Sequence, residues 1–324
     1  MPLYVFVSGI CYSRAPVRAA AIFGPGSSEK DLKPFQKNSD ATWLIGMPAS
    51  SKEADAVLIF GGDGTVHRHL EQLVKLQLTV LVVPRGSGND FARALNLKRI
   101  HDAITAWKTF VSNAANVRTI DLGIITPGAD SAEPADFEES KSEPQRSLLR
   151  NQKYFCCVAG IGLDTEIARR ANKLPRWLRA HGGYALTLPQ ALFHFAPFPM
   201  KISIPDTAQP HRFLQRTAKP TILAAFANAP SYGGGMKIAP QAKLDDGQLD
   251  ICLITDIDKF KLFCLFPTVY FGRHLGIPEV EYFQTPALRV ETQHPLDVYA
   301  DGEFVCQTPV EVGVARAALR VIVP

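Results

Sequence analysis

The first third of the chain alternates short, fully apolar runs with segments in which apolar residues recur at helical spacing. After the third run, the residues with that spacing are Val66, Leu70, Leu73 and Val74. A run without polar alternation indicates a strand covered on both faces, as in a parallel sheet. The pattern therefore predicts an open α/β domain with a mostly parallel sheet. Its predicted strands are Ala19–Phe23, Ala41–Gly46, Ala56–Phe60 and Thr79–Val83.

From residue 153 onward the apolar runs are more numerous, and Gly, Pro and Asp turns separate them. Such a pattern is typical of a β-sandwich, so we expect a larger, β-sandwich-like second domain. Its predicted strands are 154–160, 200–204, 221–228, 248–254, 287–292, 296–301, 310–314 and 319–323. One predicted helix, 184–195, interrupts them and should kink at Pro189. Residues 126–152 are acidic and rich in Ser and Pro, which predicts a linker or surface insertion.

Composition and charge narrow the class of protein. The 324 residues are 46% hydrophobic and 20% charged, as in a soluble globular protein of two domains. The net charge of +4 is spread along the chain, so nothing favours nucleic-acid binding. The six cysteines form no C-x-x-C pair, which indicates buried thiols in a reducing compartment. With no signal peptide and no apolar run near the roughly 20 residues that span a bilayer, we expect a cytoplasmic protein.

Three glycine-rich loops follow three of the predicted strands. They are Gly24–Ser28, Gly61–Thr65 and Pro84–Asp90. In open parallel sheets, ligands bind beyond the carboxyl ends of the strands, so the three loops should share one ligand. Glycines allow close backbone approach and helix N-termini attract anions, so we expect a phosphate group there. One such loop is more often only a turn, but three in register favour a nucleotide, although neither a P-loop nor a dinucleotide fingerprint is present.

The motifs GGDGT, at 61–65, and PRGSGNDFARAL, at 84–95, resemble the diacylglycerol kinase catalytic domain family. Relatives of that family are the bacterial soluble lipid kinases, the sphingosine and ceramide kinases and, more remotely, the NAD kinases, which share only GGDGT. Further similar segments are 159–172, 226–254, 271–283 and 299–305. The likeness covers about Arg18 to Pro324, and it rests on the order and combination of motifs that are individually modest.

The resemblance implies an ATP-dependent lipid kinase, a transferase that moves the γ-phosphate of ATP to a lipid hydroxyl. Diacylglycerol, giving phosphatidic acid, is the expected acceptor, and sphingosine-like lipids and NAD are the alternatives. The nucleotide would lie in the cleft between a nucleotide-binding domain, 18–125, and a lipid kinase C-terminal domain, 153–313. The segment 314–324 would return to the first domain as a last strand. We also expect Mg²⁺, a homodimer and transient contact with the inner face of the membrane.

The resemblance also implies a phosphate cradle in the second and third loops. Its residues are Gly61, Gly62, Asp63, Gly64, Thr65 and Val66, with Gly86, Ser87 and Asn89 of the third loop and Pro25 of the first. Asp63 cannot attract an anion by its own charge, so its expected catalytic use is to hold Mg²⁺ or water beside the phosphates. The alternative role, as N-cap of the following helix, is compatible with the first.

For the proton acceptor, the resemblance favours Glu303 in the segment ADGEFV, with Asp301 as the near alternative. Strand alternation is expected to send both carboxylates to the same side, and Gly302 should let a loop or substrate come close. A hairpin turn with two solvated acids is the plain structural alternative.

A structural Mg²⁺ site is implied by the resemblance in the segment PQAKLDDGQLD. Its ligands would be Asp246 and the backbone carbonyls of Lys243 and Gln248. Hard cations accept such a mixture of carboxylate and carbonyl oxygens. Taken alone, the segment is more often a tight turn between strands.

The segment 174–200 is the expected contact with the membrane. It contains Arg176, Trp177, Arg179, Phe193, Phe195 and Phe198. Cations beside an interfacial Trp suit an anionic bilayer, and the phenylalanines suit an acyl pocket. A core helix with a solvated basic flank is the alternative.

Two positions depart from the family pattern. The first loop has Gly24-Pro25 where the family usually has Asn-Pro, and His67-Arg68 stands where the family has Asn-Glu. His67 and His69 are two apart on a helix and point in different directions, which argues against a shared metal site. These departures leave open a non-catalytic relative that binds a nucleotide or lipid.

Overall fold

A parallel sheet forms the centre of the first domain. The fold is that of a computed structural model, which describes residues 16–37, 39–128, 152–173, 191, 196–206, 208–209 and 212–324. The strands, in the spatial order β2–β1–β3–β4, are β1 Val17–Phe23, β2 Ala41–Ile45, β3 Ala56–Gly61 and β4 Thr79–Pro84. Every residue of β3 and β4 is buried, because both faces of these strands are covered. The predicted parallel sheet is confirmed.

Helices cover the sheet of the first domain. They are α1 Lys33–Gln36, α2 Asp63–Leu76, α3 Asp90–Ala94 and α4 Ile100–Asn113, with a 3-10 turn at Glu29–Asp31. The buried face of α2 contains Val66, Leu70 and Leu73, the apolar positions at helical spacing. Helix α4 buries Trp107, whose ring centroid lies 5.4 Å from that of Trp43 on β2. Helix α2 begins at Asp63, within the second glycine loop, and α3 begins at Asp90, the last residue of the third.

The second domain is built mainly of strands. They are β5 Val117–Pro127, β6 Lys153–Phe155, β7 Val158–Gly162, β8 Phe198–Pro205, β9 Phe213–Thr217, β10 Pro220–Ala227, β11 Leu249–Thr255, β12 Val280–Thr285, β13 Ala287–Thr292, β14 Asp297–Ala300, β15 Glu303–Gln307 and β16 Val310–Ile322. The helical segments are α5 Leu163–Lys173, α6 Lys259–Leu265 and two 3-10 helices, Phe266–Phe271 and Arg273–Gly276.

These strands form two antiparallel layers. One layer has the order β15–β14–β7–β10–β11–β12, and the other has the order β9–β8–β13–β16–β5–β6. Their inner faces share one core, in which Phe226 and Ile251 of the first layer join Ile202, Val290 and Val312 of the second. The predicted β-sandwich-like domain is confirmed, since apolar side chains of both layers meet in one cluster.

Three predicted strands differ in the structure. The run 154–160 is broken between β6 and β7 by a bend at Cys156 and Cys157, whose amides bind a carboxylate instead of a neighbouring strand. The runs 310–314 and 319–323 are one strand, β16, with a register shift between Ala315 and Leu319. Local periodicity does not reveal either difference, because each depends on a distant residue.

Strand β16 belongs to both domains. Its first part pairs antiparallel with β13, and its last part pairs parallel with β4 at Arg320 and Val321. The domain limits 18–125, 126–152, 153–313 and 314–324 stay a prediction. The predicted helix 184–195 lies almost wholly outside the described residues. Within the described part of the chain, no helix is long and apolar enough to cross a membrane.

Candidate active site

The first two glycine loops pack against each other around one hydroxyl. The Gly24 N–H donates to the Phe60 carbonyl over 2.8 Å. A Cβ on Gly24 would overlap Oγ1 of Thr65, and a Cβ on Gly61 would lie 2.5 Å from the same atom. Glycine is therefore required in both loops, since any side chain there would displace Thr65 from the first turn of α2.

The second and third loops meet backbone to backbone. A Cβ on Gly62 would lie 2.8 Å from the Cα of Gly86, and the Arg85 N–H donates to the Gly61 carbonyl over 3.0 Å. The structure thus brings all three loops together at the carboxyl edge of the sheet. The N-terminus of α2, where the first N–H groups of a helix lack intrahelical acceptors, lies at their centre.

Asp63 connects the second loop to the third helix. Its Oδ1 accepts the N–H of Phe91 at 2.9 Å, and its Oδ2 accepts the N–H of Asp90 at 3.0 Å. The carboxylate therefore caps α3, while Gly62 takes the N-cap position of α2. The expected capping of its own helix is wrong, because Asp63 is already the first residue of that helix. Burial and the negative charge of Asp90 raise the pKa of Asp63 to about 6, against the two N–H bonds.

The third loop is closed by the side chain of Asn89. Its Oδ1 accepts the Gly86 N–H at 2.8 Å, and its Nδ2 donates to the Gly86 carbonyl at 2.7 Å. Asn89 has a φ of 54°, a left-handed conformation that Asn tolerates better than most residues. Ser87 is exposed at the tip of this loop, and Pro25 is exposed in the first loop. Within the third loop, Ser87 is therefore exposed, whereas the side chain of Asn89 forms hydrogen bonds inside the loop.

Asp90 joins the third loop to the second domain. Its Oδ1 accepts from Arg93 at 2.7 Å and from the Ser231 hydroxyl at 3.2 Å, and its Oδ2 accepts the Gly234 N–H at 2.7 Å. Gly234 has a φ of 88°, which favours glycine. Asp90 was not among the predicted site residues, although the run of three glycines at 233–235 marked a second place of close backbone approach.

Asp301 and Glu303 lie on different sides of a hairpin turn. Asp301 and Gly302 form the turn between β14 and β15, with φ values of 51° and 87°. The expectation that both carboxylates face the same side is wrong, because strand alternation does not continue through the turn. The side chain of Asp301 is buried, and Glu303 is exposed.

Both oxygens of the Asp301 carboxylate accept hydrogen bonds from several donors. It accepts the N–H of Cys156 at 2.9 Å, that of Cys157 at 2.8 Å and that of Val158 at 3.3 Å. It also lies 3.1 Å from Nδ1 of His67 on α2. Burial alone would raise the pKa of Asp301, but His67 and the backbone N–H groups outweigh burial and hold that pKa below its usual value.

His67 is the partner of Asp301 across the two domains. Burial lowers the pKa of His67, yet the hydrogen bond and charge of Asp301, with the charge of Glu303, raise it above its usual value despite the opposing Lys153. The opposite shifts of the two partners agree with an ion pair. The sequence pattern gave no sign of this pair, since 234 residues separate its members.

Glu303 lies over the first turn of α2. A Cβ on Gly64 would lie 3.2 Å from Oε1 of Glu303. The carboxylate of one domain therefore faces the helix N-terminus of the other, at the point where the three loops converge. A phosphate at this helix end would have backbone N–H donors on one side and a carboxylate on the other.

Comparison with known proteins agrees with this arrangement. The model of the diacylglycerol kinase catalytic domain matches residues 20–125, and that of the YegS C-terminal NAD kinase beta sandwich-like domain matches residues 157–323. A diacylglycerol kinase of Mycobacterium tuberculosis is 32% identical over 290 residues, covering 88% of this chain and 82% of its own. The chain belongs to the diacylglycerol kinase family.

Other members of the diacylglycerol kinase family are similar over comparable lengths. The diacylglycerol kinase of Bacillus subtilis is 24% identical over 278 residues, covering 85% of this chain and 80% of its own. A solved structure of a diacylglycerol kinase from Bacillus anthracis has the same fold, with a TM-score of 0.62 at 17% identity, covering 95% of this chain and 97% of its own. Further relatives carry the broader name of YegS-like lipid kinase, so the family is one of lipid kinases.

The segment PQAKLDDGQLD, which the resemblance implies as a structural Mg²⁺ site, forms a turn that is connected to β16 through Asp121. Lys243 and Asp246 are exposed, and Oδ1 of Asp246 accepts the Gln248 N–H at 3.0 Å. The buried Asp121 accepts the N–H of Gly247 at 2.8 Å and that of Ala317 at 2.7 Å, which fixes the turn. Its metal role stays a prediction.

Among the residues that the structure describes, one buried group has ligand atoms close enough for a metal ion: the side chains of Cys156, Cys157 and Asp301. Burial raises the pKa of the Cys156 thiol. The pKa of the Cys157 thiol is raised by a hydrogen bond from Cys157 to Cys156 and by burial, so neither thiol readily becomes a thiolate. Asp301 is already occupied by N–H donors. These residues of the diacylglycerol kinase family member therefore do not fit a metal.

Most of the segment expected at the membrane lies outside the described residues, including Arg176, Trp177, Arg179, Phe193 and Phe195. Phe198 is described and begins β8. Its ring packs on the β-sandwich core beside Gly162. The side chain of Phe198 thus helps to close one corner of the sandwich in this member of the family.

Proposed function

We propose that the chain is an ATP-dependent kinase that transfers the γ-phosphate of ATP to the free hydroxyl of diacylglycerol, giving phosphatidic acid and ADP. One observation carries the proposal. The exposed Glu303 carboxylate of the second domain faces the N-terminus of α2, where three glycine loops of the first domain converge. This arrangement supplies a phosphate cradle and a proton acceptor on opposite sides of one cleft.

The cradle would bind the phosphates through backbone groups. The first N–H groups of α2, at Asp63 and Gly64, point out of the helix end, and the positive end of the helix dipole favours an anion. Gly62 and Gly86 let the second and third loops meet backbone to backbone beside this helix end, since a Cβ on either residue would lie within 3 Å of the Cα of the other. Ser87, exposed at the tip of the third loop, would add a hydroxyl donor. Positioning and charge neutralisation of this kind account for most of phosphoryl-transfer catalysis.

Glu303 is better placed than Asp301 to accept the proton of the lipid hydroxyl. Asp301 is buried, and its oxygens receive three backbone N–H groups and His67, whereas Glu303 is exposed beside the cradle. In the proposed step, the lipid oxygen forms a bond to the γ-phosphorus as the bond to the ADP oxygen breaks. The hydroxyl proton passes to Glu303, which later releases it to water.

The residues around Asp63 fit Mg²⁺. A Cβ on Gly88 would lie 2.9 Å from Oδ2 of Asp63 and 3.3 Å from Oδ2 of Asp90, so two carboxylates flank one small space. Burial and then repulsion from Asp90 raise the pKa of Asp63, and carboxylate oxygens are the ligands that Mg²⁺ prefers. Each oxygen of Asp63 accepts one backbone N–H and keeps a further lone pair, with which Asp63 would hold the ion directly or through water. Asp90 is already occupied by Arg93, Ser231 and Gly234. The ion would neutralise charge on the phosphates.

A transfer assay tests the proposed function. The protein is incubated with γ-³²P-ATP, Mg²⁺ and, in separate reactions, diacylglycerol, sphingosine or NAD. We expect label in phosphatidic acid, and we expect E303Q to lower kcat by about 10²- to 10⁴-fold, the usual contribution of a general base. The control is E291Q, an exposed carboxylate on β13 that pairs with Lys201 and lies outside the cleft.

Each result of this assay is decisive. Label in another acceptor would replace diacylglycerol, and an NAD product would reassign the chain as an NAD kinase. Absence of transfer to every acceptor would favour the non-catalytic relative. Full activity of E303Q would remove Glu303 as the proton acceptor even if the protein is a kinase.

Because the proposed substrate is a membrane lipid, we propose that the protein is cytoplasmic and contacts the inner face of a membrane. We also propose that it is a homodimer. The sequence segment with Arg176 and Arg179 is one expected contact. Charge reversal at both positions should weaken vesicle binding and lipid phosphorylation together. Unchanged binding and activity would exclude that segment from the contact, and sedimentation equilibrium measures the oligomeric state.

A further inference from the structure

Large aromatic side chains are exposed on the second domain between Lys259 and Gly276. Phe260 is 71% exposed, Phe271 73% and Phe263 43%, and Tyr270 is also exposed. Phe260 and Phe263 are three residues apart on α6 and share one face of that helix. The 3-10 helix that carries Tyr270 and Phe271 follows α6 directly and packs against it. We name these four residues the aromatic surface. Apolar patches of this kind on a soluble domain mark a site of interaction.

Contacts with the rest of the domain anchor the opposite face of this segment. Leu262 of α6 and Val269 of the 3-10 helix are buried on the opposite side of the same segment. Asp258 caps α6 by accepting the Lys261 N–H at 2.9 Å, and the Lys261 ammonium lies 2.6 Å from Glu279. The aromatic rings are therefore displayed outward by a segment whose other face is anchored in the core.

The segment also carries cationic side chains. From Lys259 to Gly276 it contains two lysines and Arg273, of which Lys261 is paired with Glu279, and Asp258 directly precedes it. Arg273 is exposed next to Phe271. Exposed aromatic rings beside cationic side chains match the interface of an anionic bilayer, in which the rings enter the headgroup region and the cations approach the phosphates.

The aromatic surface borders the candidate active site. The Val269 carbonyl accepts the Lys237 N–H at 3.1 Å, so the 3-10 helix contacts the stretch just after the glycines 233–235, of which Asp90 binds Gly234. The ring of Tyr270 packs edge-on against Phe266, with 6.2 Å between the ring centroids, and burial and then the negative charge of Asp90 raise its pKa. A bilayer on this surface would therefore lie beside the cleft.

We propose that the aromatic surface, with Arg273, seats the protein on anionic membranes and so brings the cleft to its lipid acceptor. The identity of the acceptor rests on the proposed function, whereas the membrane contact rests on the exposed rings, the charge and the position beside the cleft. The contact is distinct from the sequence segment 174–195, because it is formed by residues of α6 and the 3-10 helices.

Vesicle flotation tests this proposal. The probes are vesicles of phosphatidylcholine alone and of phosphatidylcholine with phosphatidylglycerol. We expect the full chain to bind the anionic vesicles, and F260S/F271S to bind them at least about tenfold more weakly, since burying one Phe side chain contributes a factor of that size or more. R273E should weaken binding to anionic vesicles only. The matched control is I45S, on β2 of the first domain, where Ile45 is 50% exposed.

The outcomes separate this proposal from the kinase assignment. Flotation needs no catalysis, so a chain without transfer activity that still floats through Phe260 and Phe271 would support the surface and contradict the proposed function. In an active protein, F260S/F271S should lose more activity on vesicles than on a monomeric short-chain diacylglycerol. Equal binding of the variant and the parent would overturn the proposal. Conversion of a dimer to a monomer by F260S/F271S would also overturn it, by assigning the surface to a second copy of the chain.

Discussion

Replacing Gly24 with alanine tests whether the first two loops meet as the structure has them. The added Cβ would overlap Oγ1 of Thr65 and would lie 3.0 Å from its Cγ2, whereas carbon atoms ordinarily approach to about 3.5–4.0 Å. Relief requires a shift of about 0.5–1 Å in the loop or in α2. Overpacking of this kind costs about 1–3 kcal/mol, so G24A should lower the free energy of unfolding by about 2 kcal/mol.

The assay is urea denaturation of four variants, followed by circular dichroism. T65A removes Oγ1 and Cγ2 and leaves only Cβ, 3.1 Å from the added methyl group, so G24A/T65A should be more stable than the sum of the single changes. We expect a coupling energy of at least about 1 kcal/mol. G276A is the control, because a Cβ on Gly276 would meet nothing within 4 Å. It should change stability by less than about 0.5 kcal/mol.

The transfer rate gives a second measurement for the same variants. Thr65 lies in the first turn of α2, so a shift there also moves the proposed cradle, and a displacement of about 1 Å can cost about 10²-fold in rate. If G24A were as stable and as active as G276A, the two loops would not be in contact. A double variant no more stable than the single changes predict would contradict the role of Thr65.

Three further predictions concern the carboxylates of the cleft. D90A should lower the free energy of unfolding by about 2–4 kcal/mol, because it leaves buried donors of both domains unpaired, and an unchanged urea midpoint would contradict that role. In the metal-free protein, the pKa of Asp63 is raised to about 6, so protonation of Asp63 favours the folded state. This stabilisation of about 3 kcal/mol is complete below about pH 4 and is lost as the pH rises through 6. Urea unfolding at pH 4 to 7 measures this loss of stability, and D63N should lack it. If the free energy of unfolding changed with pH equally in D63N and in the parent protein, the raised pKa of Asp63 would be refuted. The pKa of His67, measured by NMR, should lie above the usual value for histidine and should fall in D301N. The pKa of His69, which burial lowers, should be the same in D301N and in the parent protein.

The elements of the first domain could be predicted from sequence because their causes are local. A strand covered on both faces is a continuous apolar run, as in β3 and β4, and each glycine loop stands between such a run and a helical pattern. The convergence of the loops also follows, since parallel strands end at one edge of the sheet. Fold class and loop positions therefore depend on patterns of a few residues.

The contacts within the site could not be predicted in the same way. Asp301 is buried because the amides of Cys156 and Cys157, 144 or more residues away, bend out of the sheet toward it. Asp63 caps a helix other than its own, and His67 pairs with a residue of the other domain. Each depends on how two elements pack, which no spacing along the chain reports. A carboxylate in a turn looks the same in sequence whether it is solvated or enclosed.

The sharing of β16 between the domains bears on how the chain folds during synthesis. Strand β4 has β3 on one side and β16 on the other, but β16 begins 226 residues after β4 ends, at positions 310 and 84. At about 5–20 residues per second, a ribosome needs more than about 10 s to supply that neighbour. Until then the nascent first domain has an open sheet edge, the feature that pairs most readily with other chains. Newly made protein should therefore depend on chaperones until its last strand emerges.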